Sequence, residues 1–180
     1  LQRLLNDAAA NGDVPRSNIH IFLRDYYAPG VDPMLPLLEA TRTRANVLGS
    51  ALLRDDKLVG ELTTDETYLV MVLQGKAAMH NQTLPVPRRL AGSKREMAVR
   101  FNSGKARTRL RIKDGLPEVA YEVKLQALLT EFHLGRPITD RMLHDLEASV
   151  AGTLEKQFAK VWAKLRQVNA DPVGLGKQVR

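Results

Sequence analysis

Residues 45–75 read ANVLGSALLRDDKLVGELTTDETYLVMVLQG, and this stretch decides the fold. An apolar run at 47–53 predicts a strand, the polar residues at 54–56 predict a turn, and residues 57–61 predict a short return strand. The stretch therefore begins with an antiparallel hairpin.

The same stretch continues into a helix whose two ends are both marked. Thr63 and Glu66 fit a capping box, in which each side chain accepts a hydrogen bond from the backbone N–H of the other residue. The helix is predicted over residues 64–74, and Gly75 stands where a left-handed helix terminator belongs. Hairpin, sharp turn and capped helix form one structural unit, which by itself carries no chemistry.

Shorter elements are predicted before this unit. Residues 1–11 read as the end of a helix, and Ser17 is the expected N-cap of a second helix over 18–27. Residues 37–44 read as a linker or an edge strand. A domain boundary is expected near residues 40–46.

Three strands are predicted after the unit. Residues 95–102 and 105–113 alternate in polarity, with turns expected at 103–104 and 114–115. A return strand is expected over 118–132. These strands would follow one another as an antiparallel meander.

A long amphipathic helix completes the chain. Thr139 is its expected cap, and apolar residues recur three or four positions apart over residues 140–168. The predicted fold class is α+β: an antiparallel β-sheet, hairpin plus meander, packed by this C-terminal helix and preceded by a short helical segment.

Positive charge is concentrated in one part of the chain. The protein has 27 basic and 20 acidic residues and a net charge of +7. Between Arg88 and Lys113 stand ten basic residues and one acid, Glu96, so this stretch alone carries +9. A period of two places five of these cations on one strand face, with Glu118 and Glu122 of the return strand on the same side. We call these five the basic face: Lys105, Arg107, Arg109, Arg111 and Lys113.

Two interpretations of the basic face stay open. It can be a solvated sheet surface partly neutralised by the facing glutamates. It can equally attract a polyanion, either nucleic acid or an anionic membrane surface. Aromatic residues make up 5% of the chain, and the basic strand has none, so no platform for base stacking is visible. Nucleic acid is therefore not the expected partner, and a membrane surface fits better.

The sequence predicts no catalytic, cofactor or metal site. Cysteine is absent, which removes thiol nucleophiles and thiolate metal ligands. No serine lies in a GxSxG motif, and no two histidines have metal-ligand spacing. Structural or surface roles are expected for the histidines, which are His20, His80, His133 and His144. A small hydrolase is the remotest alternative.

Five short motifs stand in order along the chain: Asp32-Pro33-Met34-Leu35-Pro36, Gly49-Ser50-Ala51-Leu52-Leu53, Asp56-Lys57-Leu58-Val59-Gly60-Glu61-Leu62, Glu66-Thr67 and Asp171-Pro172-Val173-Gly174-Leu175-Gly176. Together they resemble the C-terminal part of the Ger(x)C spore germination proteins, the lipoprotein C subunits of nutrient germinant receptors. Leu53 departs from the family pattern, which usually has an aromatic residue there. The motif residues, expected to be structural, are Gly49, Lys57, Gly60, Glu66, Asp171, Pro172, Gly174 and Gly176.

The resemblance implies a non-catalytic subunit of a spore nutrient germinant receptor, acting as a membrane-tethered scaffold needed for germination. It implies no cofactor, a location on the outer face of the spore inner membrane, and integral-membrane A and B subunits as partners. Contact with an anionic membrane surface would come through a lipid anchor outside this chain. A basic nucleic-acid-binding module is the alternative function.

The resemblance also divides the chain. Residues 1–45 would be the end of a preceding domain and a linker, and residues 46–180 a Ger(x)C-type domain truncated at its C-terminus. We expect a fragment of a longer protein, with a lipobox cysteine and one or two domains before Leu1. A further helix and a closing strand are expected after Arg180.

Overall fold

The computed structural model describes residues 1–87, 90, 95–114, 116–132 and 137–178. Within these residues the architecture is α+β, as predicted. The helices are α1 (Gln2–Ala10), α2 (Ile19–Tyr27), α3 (Thr64–Leu73), α4 (Asp140–Gln167) and α5 (Leu175–Gln178). The strands are β1 (Met34–Ala40), β2 (Ala45–Arg54), β3 (Lys57–Thr63), β4 (His80–Pro85), β5 (Glu96–Lys113) and β6 (Leu116–Glu131).

The strands form two antiparallel sheets of three strands each, in the orders β1-β2-β3 and β4-β5-β6. The expected hairpin is β2 and β3, and the expected meander belongs to the second sheet. Strand β1 pairs with β2 from Met34↔Leu52 to Ala40↔Ala45, so this segment is an edge strand rather than a linker. The boundary expected near residues 40–46 falls in the turn between these paired strands, and a division of the chain there stays a prediction.

Helix α3 has the predicted caps. The Thr63 hydroxyl accepts a hydrogen bond from the Glu66 N–H at 3.2 Å, and the Glu66 carboxylate accepts one from the Thr63 N–H at 2.9 Å. The helix ends at Leu73, and Gly75 has a φ of +70°. The capping box and the left-handed terminator are both confirmed.

The same helix lies in the core between the two sheets. Residues 67–72 are all buried, so α3 has no solvent-facing side over this span. Thr67 donates its hydroxyl to Ser50 of β2 at 2.9 Å, and Tyr68 stacks on Phe101 of β5 with ring centroids 5.8 Å apart. A helix that is apolar all round is stable only when surrounded. The quoted stretch therefore supplies the element on which both sheets pack.

The turn expected at 103–104 is wrong, because β5 runs through this position without a break. Its register with β6 shifts between Phe101 and Ser103, which inserts one extra residue as a β-bulge. A Cβ on Gly104 would lie 2.6 Å from the Leu125 side chain and 3.2 Å from Ala77, so this glycine permits close packing. Gly115, in the second expected turn, lies outside the described residues.

The bulge also reverses the alternation of side chains along β5. Met97, Val99 and Phe101 point inward at odd positions, whereas Ala106 and Thr108 are the inward, half-buried residues after the bulge. A shift of one residue moves every later side chain to the other face of the sheet. The cations at odd positions of β5 therefore face outward.

Helix α2 differs from its prediction at its start. Asn18 is the N-cap and accepts a hydrogen bond from the Ile21 N–H at 2.8 Å, so the expectation for Ser17 is wrong. Asn18 has the extended backbone that an N-cap requires. No residue of α2 is buried, and Ile19 is 62% exposed.

Helix α4 begins as predicted, with the Thr139 hydroxyl accepting the Met142 N–H at 3.4 Å. Its buried residues are Met142, Leu146, Leu154, Val161 and Leu165. They face the core, and Trp162 meets Tyr121 of β6 edge to face at 6.1 Å. Helix α4 thus covers the inner side of the second sheet. No described strand pairs with the outer edge of β6.

Candidate functional site

All five residues of the basic face are exposed and lie on one side of the second sheet. Directly opposed residues of an antiparallel pair share a face, and the register pairs Arg107 with Glu122 and Arg111 with Glu118. Lys105 pairs with Lys124, which adds a sixth cation to this side. The expected geometry is confirmed. Arg88, Arg89 and Lys94 of the same basic stretch lie outside the described residues.

The facing glutamates neutralise the basic face only in part. Glu122 lies 3.3 Å from Arg109 and 3.5 Å from Lys124, and Glu118 lies 3.9 Å from Lys113. All of these side chains are at least 40% exposed. Exposed pairs of this kind contribute about 0–1 kcal/mol each. The cations are therefore free to exchange these partners for other anions.

The C-terminal family motif forms a second polar arrangement, which we call the Asp clasp: Asp32, Asp171, Gly174 and Gly176. Asp32 and Asp171 bind each other twice: the Asp171 N–H donates to the Asp32 carboxylate at 2.6 Å, and the Asp32 N–H donates to the Asp171 carbonyl at 2.9 Å. The Asp171 carboxylate also accepts the N–H groups of Gly174 and Gly176, each at 2.8 Å. The clasp joins the segment before β1 to the chain after α4.

Two further motif residues attach the end of α3 and its cap to the same region. The Pro172 carbonyl accepts a hydrogen bond from the Gln74 amide at 2.7 Å. Glu66, besides capping α3, lies 2.6 Å from the Lys164 ammonium, with the two side chains 25% and 37% exposed. Glu66 therefore joins α3 to α4 as well as starting α3.

The remaining motif residues have different surroundings. Gly49 has a φ of +130°, and a Cβ there would collide with the Leu62 carbonyl oxygen. Gly60 faces Val168, whose side chain would lie 3.2 Å from a Cβ at that position. Lys57 lies exposed at the β2–β3 turn. All of them except Lys57 thus occupy packing or capping positions.

The prediction from sequence missed a buried cluster around His80. Its Nε2 lies 2.9 Å from an Asp65 carboxylate oxygen, and its Nδ1 lies 3.4 Å from the Asn11 carbonyl and 3.6 Å from Asp13. Tyr68 stacks on the ring at 4.4 Å. Because these partners stand 15 and 69 residues away in sequence, no spacing rule could find them.

The pKa values of the two carboxylates in this cluster are shifted in opposite directions. The hydrogen bond from His80 lowers the pKa of Asp65, although burial acts against it. Burial raises the pKa of Asp13, with the nearby His80 opposing the shift. The cluster holds the segment after α1 against α3 and β4.

A groove of about 810 Å³ also escaped prediction, because it depends on how α4 lies across the sheet. Its walls are mainly apolar side chains of β6 and α4, among them Val123, Leu146 and Phe158. Glu147 and Glu155 are its acidic members. The volume is within the usual range for ligand pockets, but few polar groups converge on it.

Two kinds of feature are absent from the part of the chain that the structure describes. No group of three or more His, Cys, Asp or Glu side chains there could hold a metal ion. No helix there combines the length and the apolar character needed to cross a membrane.

Comparisons with known proteins agree with this architecture. The family model described as "Spore germination B3/ GerAC like, C-terminal" matches residues 48–180. The solved structure titled "Crystal Structure of the GerBC protein" has a TM-score of 0.73 and 22% sequence identity, covering 92% of this chain and 51% of that chain. The chain therefore spans about half the length of GerBC and shares its fold. No curated protein matches the sequence.

Proposed function

Because this chain belongs to the family of the spore germination B3/GerAC-like C-terminal domain, we propose that it is a non-catalytic subunit of a spore nutrient germinant receptor. The observation that carries the proposal is the family match across residues 48–180. The GerBC-like fold supports it. The subunit would act as a scaffold needed for germination.

The proposal extends to location and partners. The protein would stand on the outer face of the spore inner membrane, tethered by a lipid anchor outside this chain and assembled with integral-membrane A and B subunits. Residues 46–180 would be the C-terminal Ger(x)C-type domain, following the end of a preceding domain. The basic face is exposed, and an anionic membrane surface would attract it, which supports this arrangement.

Deletion of the gene from the source strain tests this function. Spores lacking the protein should lose their response to at least one nutrient, measured as the fall in refractility after nutrient addition. A strain in which the deleted gene is restored at a second site serves as the control and should respond as the parent spores do. Unchanged responses to every nutrient that triggers the parent spores would overturn the proposal.

Capture from spore membranes tests the partners. The full-length protein, tagged and crosslinked in spores, should co-purify with integral-membrane A and B subunits. A parallel capture with an unrelated spore lipoprotein provides the background. Recovery of the subunits at background level would contradict the proposed assembly while leaving the germination result to stand alone.

One observation favours the alternative of a nucleic-acid-binding module, namely the cluster of exposed cations on the basic face. Such a module would bind an arbitrary duplex with strong salt dependence. The charge reversals Arg107→Glu, Arg109→Glu and Arg111→Glu together should then abolish duplex binding, measured by fluorescence anisotropy. We expect nucleic-acid binding not to be the function, because the facing Glu118 and Glu122 oppose phosphate contacts and no aromatic side chain of the basic face could stack on an unpaired base.

A further inference from the structure

The far end of the β5–β6 hairpin combines exposed cations with exposed apolar side chains. On one side stand the cations of the basic face, joined by Lys124. On the other side, Leu110 is 36% exposed and Ile112 is 74% exposed. Phe101, in the same strand but under the helices, is fully buried. The apolar side of β5 is therefore buried at Phe101 and becomes exposed to solvent toward the hairpin end.

The cations there outnumber the acidic side chains that could pair with them. Arg109, Lys113 and Lys124 have a glutamate within ion-pair distance. Among the described residues, no carboxylate lies within 4 Å of Lys105, Arg107 or Arg111. Two glutamates thus face six cations. This surface is complementary to a dense layer of negative charge.

The exposed apolar side chains beside the cations help to decide whether a nucleic acid or a lipid bilayer is the polyanion that binds here. A duplex would be held by phosphate contacts and a single strand by phosphate contacts and aromatic stacking, and neither needs an exposed aliphatic side chain. On this hairpin the aromatic residues Phe101 and Tyr121 belong to the covered side, where Tyr121 meets Trp162. A lipid bilayer accepts both groups at once, since its phosphates bind cations and its acyl boundary accepts an apolar side chain.

From this juxtaposition we propose that the end of the β5–β6 hairpin docks on an anionic lipid bilayer, with Ile112 entering the headgroup layer and the basic face binding lipid phosphates. The inference rests on the proposed function in its location beside a membrane, and it adds a contact made by the folded domain itself. It requires no lipid anchor.

Strand geometry sets the order of contacts. Ile112 and its neighbours Arg111 and Lys113 point to opposite faces, so both groups reach the headgroups only when the hairpin approaches end-on. A strand rises about 3.3 Å per residue, which places Arg109 about 10 Å and Lys105 about 23 Å from Ile112 along β5. Long basic side chains extend back toward phosphates. Arg111 should therefore contribute more to binding than Lys105.

Vesicle sedimentation of the full chain tests the electrostatic part. The probe is 30% phosphatidylglycerol in phosphatidylcholine, with pure phosphatidylcholine as the neutral comparison. Each cation near an anionic surface is worth roughly a fivefold change in affinity, so Arg107→Gln, Arg109→Gln and Arg111→Gln together should weaken binding about 100-fold. Alone, R111Q should weaken binding more than K105Q. The matched control is K156Q with K160Q and R166Q, three exposed cations of α4.

A label tests the insertion. The chain has no cysteine, so Ile112→Cys carries a single environment-sensitive fluorophore. Its emission should shift to the blue with the anionic vesicles and not with the neutral ones. Leu58→Cys, at a site 56% exposed on the other sheet, is the control that should not respond. Circular dichroism of every variant separates loss of binding from loss of folding.

Several outcomes would overturn the inference: equal binding to both vesicle types, equal weakening by the control triple variant, or tighter binding to a 20-base-pair duplex than to anionic vesicles. An unshifted label at position 112 would remove the insertion. If a variant fails to fold, wild-type binding that survives 1 M salt would contradict the electrostatic contact by itself. If the protein does not bind anionic vesicles but the deletion spores show a germination defect, the membrane-docking inference is wrong and the proposed function stands.

Discussion

His80 joins two distant segments of the chain through its ring nitrogens. One nitrogen faces Asp65 in the first turn of α3, and the other faces the carbonyl of Asn11 and the carboxylate of Asp13. The side chain is 1% exposed, so water cannot replace a lost partner. A single buried imidazole therefore helps hold the N-terminal helix on the domain.

Asp65→Asn tests this cluster. The change removes the charge facing His80 and should lower the free energy of unfolding at pH 7 by about 1 kcal/mol, because Asp65 itself is 47% exposed and solvent screens part of the interaction. The pKa of Asp65 is lowered in the folded state, so its contribution is complete above the unfolded value and is lost as the pH falls through the folded one. The difference between the two proteins should therefore shrink below about pH 4. Urea unfolding at pH 7 and pH 3 measures both effects.

Asp7→Asn is the matched control, because Asp7 makes an ion pair with Arg3 in which both side chains are at least 69% exposed. It should change the free energy of unfolding by less than about 0.5 kcal/mol. A pH-independent difference for Asp65→Asn would contradict the assignment of its effect to the carboxylate charge.

Gly49 and Gly152 provide a pair of opposite expectations. Gly49→Ala places a Cβ against the Leu62 carbonyl at a φ of +130°, and should destabilise the protein by about 2 kcal/mol or more. Gly152 lies inside α4 with no atom within 4 Å of a new Cβ, so Gly152→Ala should stabilise it by about 0.5–1 kcal/mol. Thermal midpoints of the two variants should move in opposite directions, and a shift in the same direction would be inconsistent with this geometry.

At the scale of elements, Glu66 joins two helices. Its carboxylate caps α3 and also pairs with Lys164 near the end of α4, at a site where both side chains are partly buried. The start of α3 thus contacts the last turns of α4.

Two substitutions separate these roles. Glu66→Gln keeps an oxygen for the Thr63 N–H but loses the ion pair, and should cost about 1 kcal/mol. Glu66→Ala loses both and should cost about 2 kcal/mol. A double-mutant cycle with Lys164→Met isolates the pair, measured by urea unfolding. No coupling between Glu66 and Lys164 in that cycle would show that the ion pair adds nothing to stability.

Local signals account for the elements that were predicted correctly. The capping box, Gly75 and Thr139 act within four residues, so their consequences could be predicted from short stretches of sequence. Ser103 and Gly104 misled because a serine–glycine pair is typical of turns. Here the missing side chain of Gly104 leaves room for Leu125 of the neighbouring strand β6. A contact with another strand cannot be predicted from the residues next to Gly104 in sequence.

Over the whole molecule, the Asp clasp connects parts of the chain that are far apart in sequence. Asp32 stands before the first strand, and Asp171 stands after the long helix. Two hydrogen bonds join Asp32 to Asp171, and the bond from the Gln74 amide to the Pro172 carbonyl brings the end of α3 to the same place. Asp32 and Asp171 thus hold together two segments that lie far apart along the chain.

Asp171→Ala should loosen this junction. It removes the acceptor of two backbone N–H groups and should lower the free energy of unfolding by about 2–3 kcal/mol. The amides of Gly174 and Gly176 should exchange faster with deuterium, while amides of β2 keep their protection at matched stability. Glu39→Ala, at an exposed position of β1, is the control. Unchanged exchange at the two glycines would refute the role of the carboxylate.

The long-range arrangement of the elements is the part that could not be predicted from the sequence. The fold class was predicted correctly, whereas the roles of the motif residues and of the basic face stay predictions. The separation of the strands into two sheets, the His80 cluster and the groove depend on contacts between distant segments. Such contacts are set by the packing of whole elements, which periodicity does not describe.

The position of α3 has a consequence for how the domain melts. Each sheet covers a different side of this helix, so neither can detach without exposing residues that the other still encloses. The two sheets should consequently lose their structure in one cooperative step. Differential scanning calorimetry should show a single heat-absorption peak, with calorimetric and van't Hoff enthalpies in agreement.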